Sequence, residues 1–328
     1  MGKSRLKTST WLVAAVTGVV ATCTGSMALA AAAPKPGDRE IQQAYNLVEP
    51  RFEPAYERNC TLDAPFPLSN GKGGAATPAK LFDNFFYVGR TDVGAWLIKT
   101  SDGLVLIDTL YNPAEAEQVV VAGIRKLGLD PDAIKMVLIT HNHGDHAGGM
   151  SYFQKKGVPI LVSQDDWGAL GGAPNPAAVL HDRQVLIVGD TKITVLHTPG
   201  HTPGTISVVF PVTQDGQKHM AVLMGGVGPR GDVAAHRGAI DGLERMLQFG
   251  RTAGVDVMFQ IHEMFEDPIA MQAIIDAPTR KRGQLNALVL GQQRFQTYGQ
   301  MLQACWRARI AILEERGGAV GRGAGAPQ

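Results

Sequence analysis

Cysteine is scarce in this chain, with three residues in 328, and none of them falls in a histidine-rich segment. A closed structural zinc site built from thiolates is thereby excluded. Net charge is equally lacking: 31 Lys and Arg stand against 30 Asp and Glu, which leaves no basic footprint for nucleic acid or an anionic membrane. No Gly-x-Ser-x-Gly elbow occurs, so a serine nucleophile of that type is absent. What remains possible is chemistry on a small molecule that uses neither thiol nor serine, in a chain whose 45% apolar composition can bury one large core or two modest ones.

The first 30 residues stand apart. Lys3, Arg5 and Lys7 make a basic start, Trp11 to Val20 is apolar, and Ala28-Leu29-Ala30 is a small-x-small cleavage pattern. This reads as a secretory signal peptide and predicts a periplasmic or secreted protein. A transmembrane anchor is the alternative, disfavoured by the Thr, Gly and Ser that dilute the run; a lipoprotein acylated at Cys23 ranks below export, because Thr22 is an awkward predecessor. Cleavage leaves 28 Lys and Arg against 30 Asp and Glu, with Cys60 and Cys305 in an oxidising compartment. Whether those two pair or stay free is open at the level of sequence.

From Pro34 to about Lys80 the chain is rich in Pro, Gly, Asn and Ala without a sustained period, and reads as an extended arm and loop. Short apolar runs at Asn84 to Val88, Ala95 to Lys99 and Leu104 to Asp108, split by glycine, predict a β-meander. A helix is expected over Ala114 to Leu127, ending at Gly128, then a buried strand over Lys135 to Thr140. A helix at Gly148 to Lys156 and a strand at Pro159 to Ser163 follow. Further strands are read at Gln184 to Val188, Ile193 to His197, Thr205 to Phe210, Met220 to Met224 and Val255 to Gln260, with a helix at Gly238 to Thr252 before the last. After Asp267 the expected helices are Thr279 to Val289 and Gln293 to Arg316, ahead of a loose tail. This order predicts an α/β (α+β sandwich) molecule of two packed sheets with helices outside. The expected division is residues 1–30 as signal peptide, 31–80 as arm, 81–316 as a single catalytic domain and 317–328 as tail.

The chemistry is concentrated in Thr140-His141-Asn142-His143-Gly144-Asp145-His146, three imidazoles and a carboxylate directly after an apolar strand. Strand alternation would send His141 and His143 the same way, with Asp145 and His146 on the following turn, giving two adjacent metal positions. Neutral imidazoles and a carboxylate suit Zn²⁺. The segment resembles the His-x-His-x-Asp-His signature of the metallo-β-lactamase superfamily. Two more segments resemble that family's remaining ligand loops: His197-Thr-Pro-Gly-His201, where the histidine after Thr-Pro-Gly is the ligand, and Val255 to His262, ending on the last ligand.

The resemblance implies an αββα four-layer fold with two Zn²⁺ per chain, one held by His141, His143 and His201, the other by Asp145, His146 and His262. It places Asp108 beside the metal loop as an orienting group; a plain turn residue is the other reading. His197 is expected to pack near the site, and His181, His219 and His236 to be structural or solvated in loops or at strand ends, with the loop around His236 able to overhang the cleft.

Many branches of the family carry an acid bridging both metals after a strand between the second and last ligand segments. Here Met220 to Met224 is followed by Gly225-Gly226, and Asp232 lies too far along. With export and no cysteine ligand, this resembles the third subclass of class B β-lactamases, except that serines usual there are replaced at Gly225 to Gly228. Gly226 to Gly231 matches a dinucleotide fingerprint but contains Pro229 and lacks a βαβ setting, so no nucleotide is expected. The resemblance implies an exported monomer that binds a small-molecule substrate and opens cyclic amides, with Asp145 as ligand and catalytic group, or, on the same metals, another ester, lactone or thioester.

Overall fold

The computed structural model describes residues 34–61, 72–171, 178–226, 228–263 and 267–317. The signal peptide and the acylation alternative at Cys23 lie outside the described residues, as does most of the tail. Among those described, no helix is long and apolar enough to cross a membrane.

Strand alternation builds two sheets. The first contains β1 (Ala79–Phe82), β2 (Phe85–Tyr87), β3 (Trp96–Thr100), β4 (Gly103–Ile107), β5 (Ile134–Leu138), β6 (Ile160–Ser163) and β7 (Val179–Leu180) in sequential order. β2 to β4 form the expected antiparallel meander, β1 adds an antiparallel strand at the end of the expected arm, and β4 to β7 are parallel. The second sheet runs β12 (Val255–Gln260), β11 (Gln217–Met224), β10 (Ile206–Gln214), β9 (Thr191–His197), β8 (Val185–Val188), all antiparallel except β12 beside β11.

The residues on each strand divide by face, as period-2 geometry demands. On β4, Val105 and Ile107 face a core shared with Val208, Phe210 and Phe259 of the other sheet, while Leu104 and Leu106 face outward to helices. Phe85 stacks on Trp96 at 5.5 Å, and Trp96 reaches Phe259 across the sheets at 5.1 Å. Each such fully buried aromatic contributes about 1.5–3 kcal/mol.

Helices cover both outer faces. The amino-terminal segment holds α1 (Asp38–Tyr45) and α2 (Glu53–Cys60). The first sheet is covered by α3, residues 113–126, whose middle, Ala116–Val121, is π-helical. Short helices α4 (Gly144–Ala147), α5 (Met150–Lys155) and α6 (Gln164–Trp167) follow on that side. The second sheet is covered by α7 (Val233–Ala253), which crosses between β11 and β12, and by α9 (Gln292–Glu315); α8 (Pro268–Asp276) closes one edge of the core between the sheets. Three apolar layers therefore separate four layers of structure, αββα.

Two expectations are corrected. The stretch from Pro34 to Lys80 is helical at Asp38–Tyr45 and Glu53–Cys60, where an extended arm was expected. Both helices are too short to persist alone and gain their stability by packing Ala44, Phe52 and Ala55 against Tyr298, Met301 and Leu302 of α9. The helix read at Thr279 to Val289 does not form. Asp267 caps α8 through Ala270 N, Pro268 occupies its first turn, and the chain after Thr279 is turns through Gly283 (φ 74°) to a bridge from Val289 to Val257. The open question of the cysteines is answered: Cys60 and Cys305 form a disulfide with Cα atoms 4.7 Å apart, tying α2 to α9.

Candidate metal centre

The histidine segment leaves the first sheet at the carboxyl end of β5. That strand ends at Leu138, two residues before its expected limit at Thr140, so His141 and His143 stand on a loop and not on strand alternation. They still face one another, with His141 Nε2 3.0 Å from His143 Nδ1. The loop is fastened to the second sheet by Ile206 N, which donates to Thr140 O at 2.9 Å at the start of β10. His201 lies on the turn between β9 and β10, and His262 follows β12. The site thus lies at strand ends of both sheets, after β5 in the first and at the β9–β10 turn and after β12 in the second.

Two groups of ligand atoms result, His141, His143 and His201 in one, Asp145, His146 and His262 in the other, and within each the ligand atoms lie within 4.8 Å of one another. The groups are adjacent, with the His141 and His146 rings 4.3 Å apart. His146 Nε2 is 3.2 Å from His262 Nε2, and Asp145 Oδ2 is 3.5 Å from each.

The outward ring nitrogens decide what the inward ones can do. His146 Nδ1 donates to Asp108 Oδ2 at 2.8 Å, His262 Nδ1 to Asp92 O at 2.7 Å, His201 Nδ1 to Gly228 O at 3.1 Å and His141 Nδ1 to Thr140 Oγ1 at 3.1 Å. A neutral imidazole that spends its proton outward presents a lone pair inward. Lone pairs converging at these distances, joined by a carboxylate, fit a borderline divalent cation in each group.

Charge and burial favour the neutral state at His141, His143, His201 and His262, but not at His146. Burial, followed by repulsion from neighbouring histidines, holds His141 well below its ordinary value, and burial with the charge of Arg230 does the same at His201. Burial and Arg230 bring His143 to about 4; burial and His146 bring His262 to about 3. At His146 burial is outweighed by Asp145 and Asp108, which raise it. Burial also opposes the charge on Asp145, but His146 and His262 outweigh it and keep the carboxyl below its usual range.

Asp108 is fully buried in the left-handed region at φ 60° and accepts from Thr140 N, Thr140 Oγ1 and His146 Nδ1, each at 2.8 Å. It orients the loop as the resemblance implied. The bridging position is closed to any side chain. A Cβ on Gly225 would come 1.7 Å from Ile206 O, and one on Gly226 would come 2.8 Å from His201 Cβ. Asp232 instead caps α7 through Ala235 N at 2.9 Å.

Of the other histidines, His197 Nε2 donates to Pro203 O beside the His201 turn, His219 Nδ1 pairs with Asp256 at 2.7 Å, and the His181 amide donates to Gln184. His236 is corrected: it lies buried inside α7, bonded to Asp232 O, and not on a loop over the cleft. Sequence reasoning also missed the Asp92 and Gly228 carbonyls, which carry no residue-type signal, and two charged residues, Asp166 and Arg230.

A model of the metallo-beta-lactamase superfamily matches residues 88–214. An N-acyl homoserine lactonase of Bacillus thuringiensis is 27% identical over 185 residues, 48% of this chain and 68% of that protein. A hydroxyacylglutathione hydrolase of Buchnera aphidicola subsp. Baizongia pistaciae is 29% identical over 131 residues, 40% of this chain and 45% of that one. Among solved structures, a subclass B3 metallo-beta-lactamase of Bradyrhizobium japonicum superposes with a TM-score of 0.60 at 25% identity, covering 75% of this chain and 98% of the other. The matched residues, the shared fold and the two donor sets agree: this chain carries a metallo-beta-lactamase superfamily domain, and its likeness to these proteins supports the hydrolase class.

Proposed function

We propose that this chain is an exported zinc-dependent hydrolase that opens cyclic amides, a β-lactamase of the third-subclass class B type. His141, His143 and His201 would hold one zinc, and Asp145, His146 and His262 the other. The observation that carries the reading is the pair of complete donor sets beside a bridging position that Gly225 and Gly226 keep free of any carboxylate. Zinc supplies Lewis acidity and lowers the pKa of water enough for attack at neutral pH. Asp145 directs Oδ2 toward His146 and His262, which leaves Oδ1 to accept a hydrogen bond from the attacking water and hold its orientation.

Arg230 favours an anionic substrate. Its backbone N–H donates to Gly200 O at 2.8 Å, its side chain is exposed and makes no hydrogen bond among the described residues, and its charge acts on His143, His201 and Asp145. A guanidinium so placed suits the carboxylate that β-lactams carry. The disulfide between Cys60 and Cys305 supports export, since such bonds persist in oxidising compartments.

The test is turnover by the purified, zinc-loaded protein on nitrocefin, a carbapenem, an N-acyl homoserine lactone and an acylglutathione thioester. β-Lactam opening that disappears in His143→Ala is expected. The second reading, hydrolysis of a lactone or thioester at the same site, rests on the lactonase and hydroxyacylglutathione hydrolase relatives; faster turnover of either than of any β-lactam would replace the first.

A further inference from the structure

Asp166 follows β6 in the first turn of α6, and the run Gln164-Asp165-Asp166-Trp167 gives no hint which acid matters. Asp165 is exposed; Asp166 is fully buried. Its Oδ1 accepts from Asn142 Nδ2 at 3.2 Å and Gly204 N at 2.9 Å, and its Oδ2 from Asn142 N at 2.9 Å and Thr202 Oγ1 at 2.8 Å. Asn142 separates His141 from His143, and Thr202 adjoins His201. Each oxygen therefore bonds one donor from each of two loops that are remote in sequence. Gly204 is needed for the approach, because a Cβ there would lie 2.6 Å from Asp166 Cγ.

We propose that Asp166 is the positioning residue of the three-histidine site, setting the gap between the His141–His143 loop and the His201 turn. The role rests on the metal reading above. A buried carboxylate is costly unless its charge is compensated. Among the described residues Asp166 has only neutral hydrogen-bond donors and no basic partner, so a cation held by the three imidazoles next to its loops would supply the counter-charge. Asp108 bonds His146 of the other group and Thr140 at the start of the His141 loop, whereas Asp166 bonds only the segments that carry His141, His143 and His201 and is the one of the two that reaches the His201 turn.

Asp166→Asn preserves shape but turns one oxygen into a donor facing two donors, removing one loop-to-loop bridge and the charge. Thr202→Val removes a single bond and serves if the first variant does not fold. The metal-free full chain is titrated with Co²⁺, and the paramagnetically shifted ring N–H signals of His141 and His201 are followed separately from those of His146 and His262. In Asp166→Asn the first pair is expected to need roughly 10–100-fold more Co²⁺, with the second pair filling as in the wild type. Faster amide exchange at Asn142 and Gly204 in the metal-free variant is expected alongside. Unchanged filling of the first pair, or equal weakening of both pairs, overturns the positioning role alone. A wild-type chain that takes up no Co²⁺ overturns the metal reading itself, and this role with it.

Discussion

Asp108 and Asp166 do comparable work at the site, yet only one was legible. Asp108 directly follows a strand, at the place where the family resemblance implies an acid beside the metal loop; Asp166 shares its segment with Asp165, and only burial and four converging donors separate them. His141, His143, Asp145 and His146 were legible because so dense a run of histidines and carboxylate has few other uses, and His201 and His262 only through the family resemblance of their segments. His236 was misread because nothing in its neighbours distinguishes a loop from the first turn of a long helix. Its burial has a consequence for pH. Burial first, then Arg309, holds the His236 imidazole below its ordinary value despite its bond to Asp232 O. The unfolded chain therefore takes up this proton first, so the stability due to neutral His236 is present above about pH 6.5 and is lost as pH falls through the folded value. His236→Gln should lose less melting temperature between pH 7.5 and pH 5.5 than the wild type, both with zinc in excess. Equal losses would show that His236 does not contribute to the acid limb.

Among the elements, some strands and helices lie close to their expected limits, Val255–Gln260 coinciding and Gln292–Glu315 differing by one residue at each end, whereas Val233–Ala253 starts five residues before its expected first residue, Gly238. Short elements did not follow pattern. The helices Asp38–Tyr45 and Glu53–Cys60 carry few apolar residues and depend on α9 for a surface to pack on. Asn286, inside the expected Thr279 to Val289 helix, instead spends its side chain on Leu81 O and Gln214 Oε1. The disulfide fixes one of these dependent helices across a separation of 245 residues. Replacing both cysteines by alanine should lower unfolding stability by about 2–5 kcal/mol, read from guanidinium denaturation of oxidised protein. An unmoved midpoint would show that apolar packing alone secures α2.

For the whole molecule, the two sheets meet at the candidate metal centre through Ile206 N to Thr140 O, Gly94 N to Ile261 O, His262 Nδ1 to Asp92 O and the bonds from Thr202 and Gly204 to Asp166. Two cations gripped by residues from both sheets would add stability to the folded state only, about 2.7 kcal/mol for a site at a hundred times its Kd. Chelation with EDTA should therefore lower the melting temperature and zinc should restore it, measured by calorimetry on one sample. A melting temperature indifferent to both would count against the site as a resident metal centre.

Local chemistry determined a great deal: period-2 and period-3.6 patterns specified most of the strands and the long helices, and ligand density marked four of the six candidate metal-site residues, His141, His143, Asp145 and His146, because both are properties of residues near one another in sequence. Only the tertiary structure decided the pairing of Cys60 with Cys305, the helical state of the amino-terminal segment, the closed space at Gly225 and Gly226, and the clamp at Asp166. Each of these depends on a distance between segments far apart in the chain, which the folded core sets and no local pattern encodes.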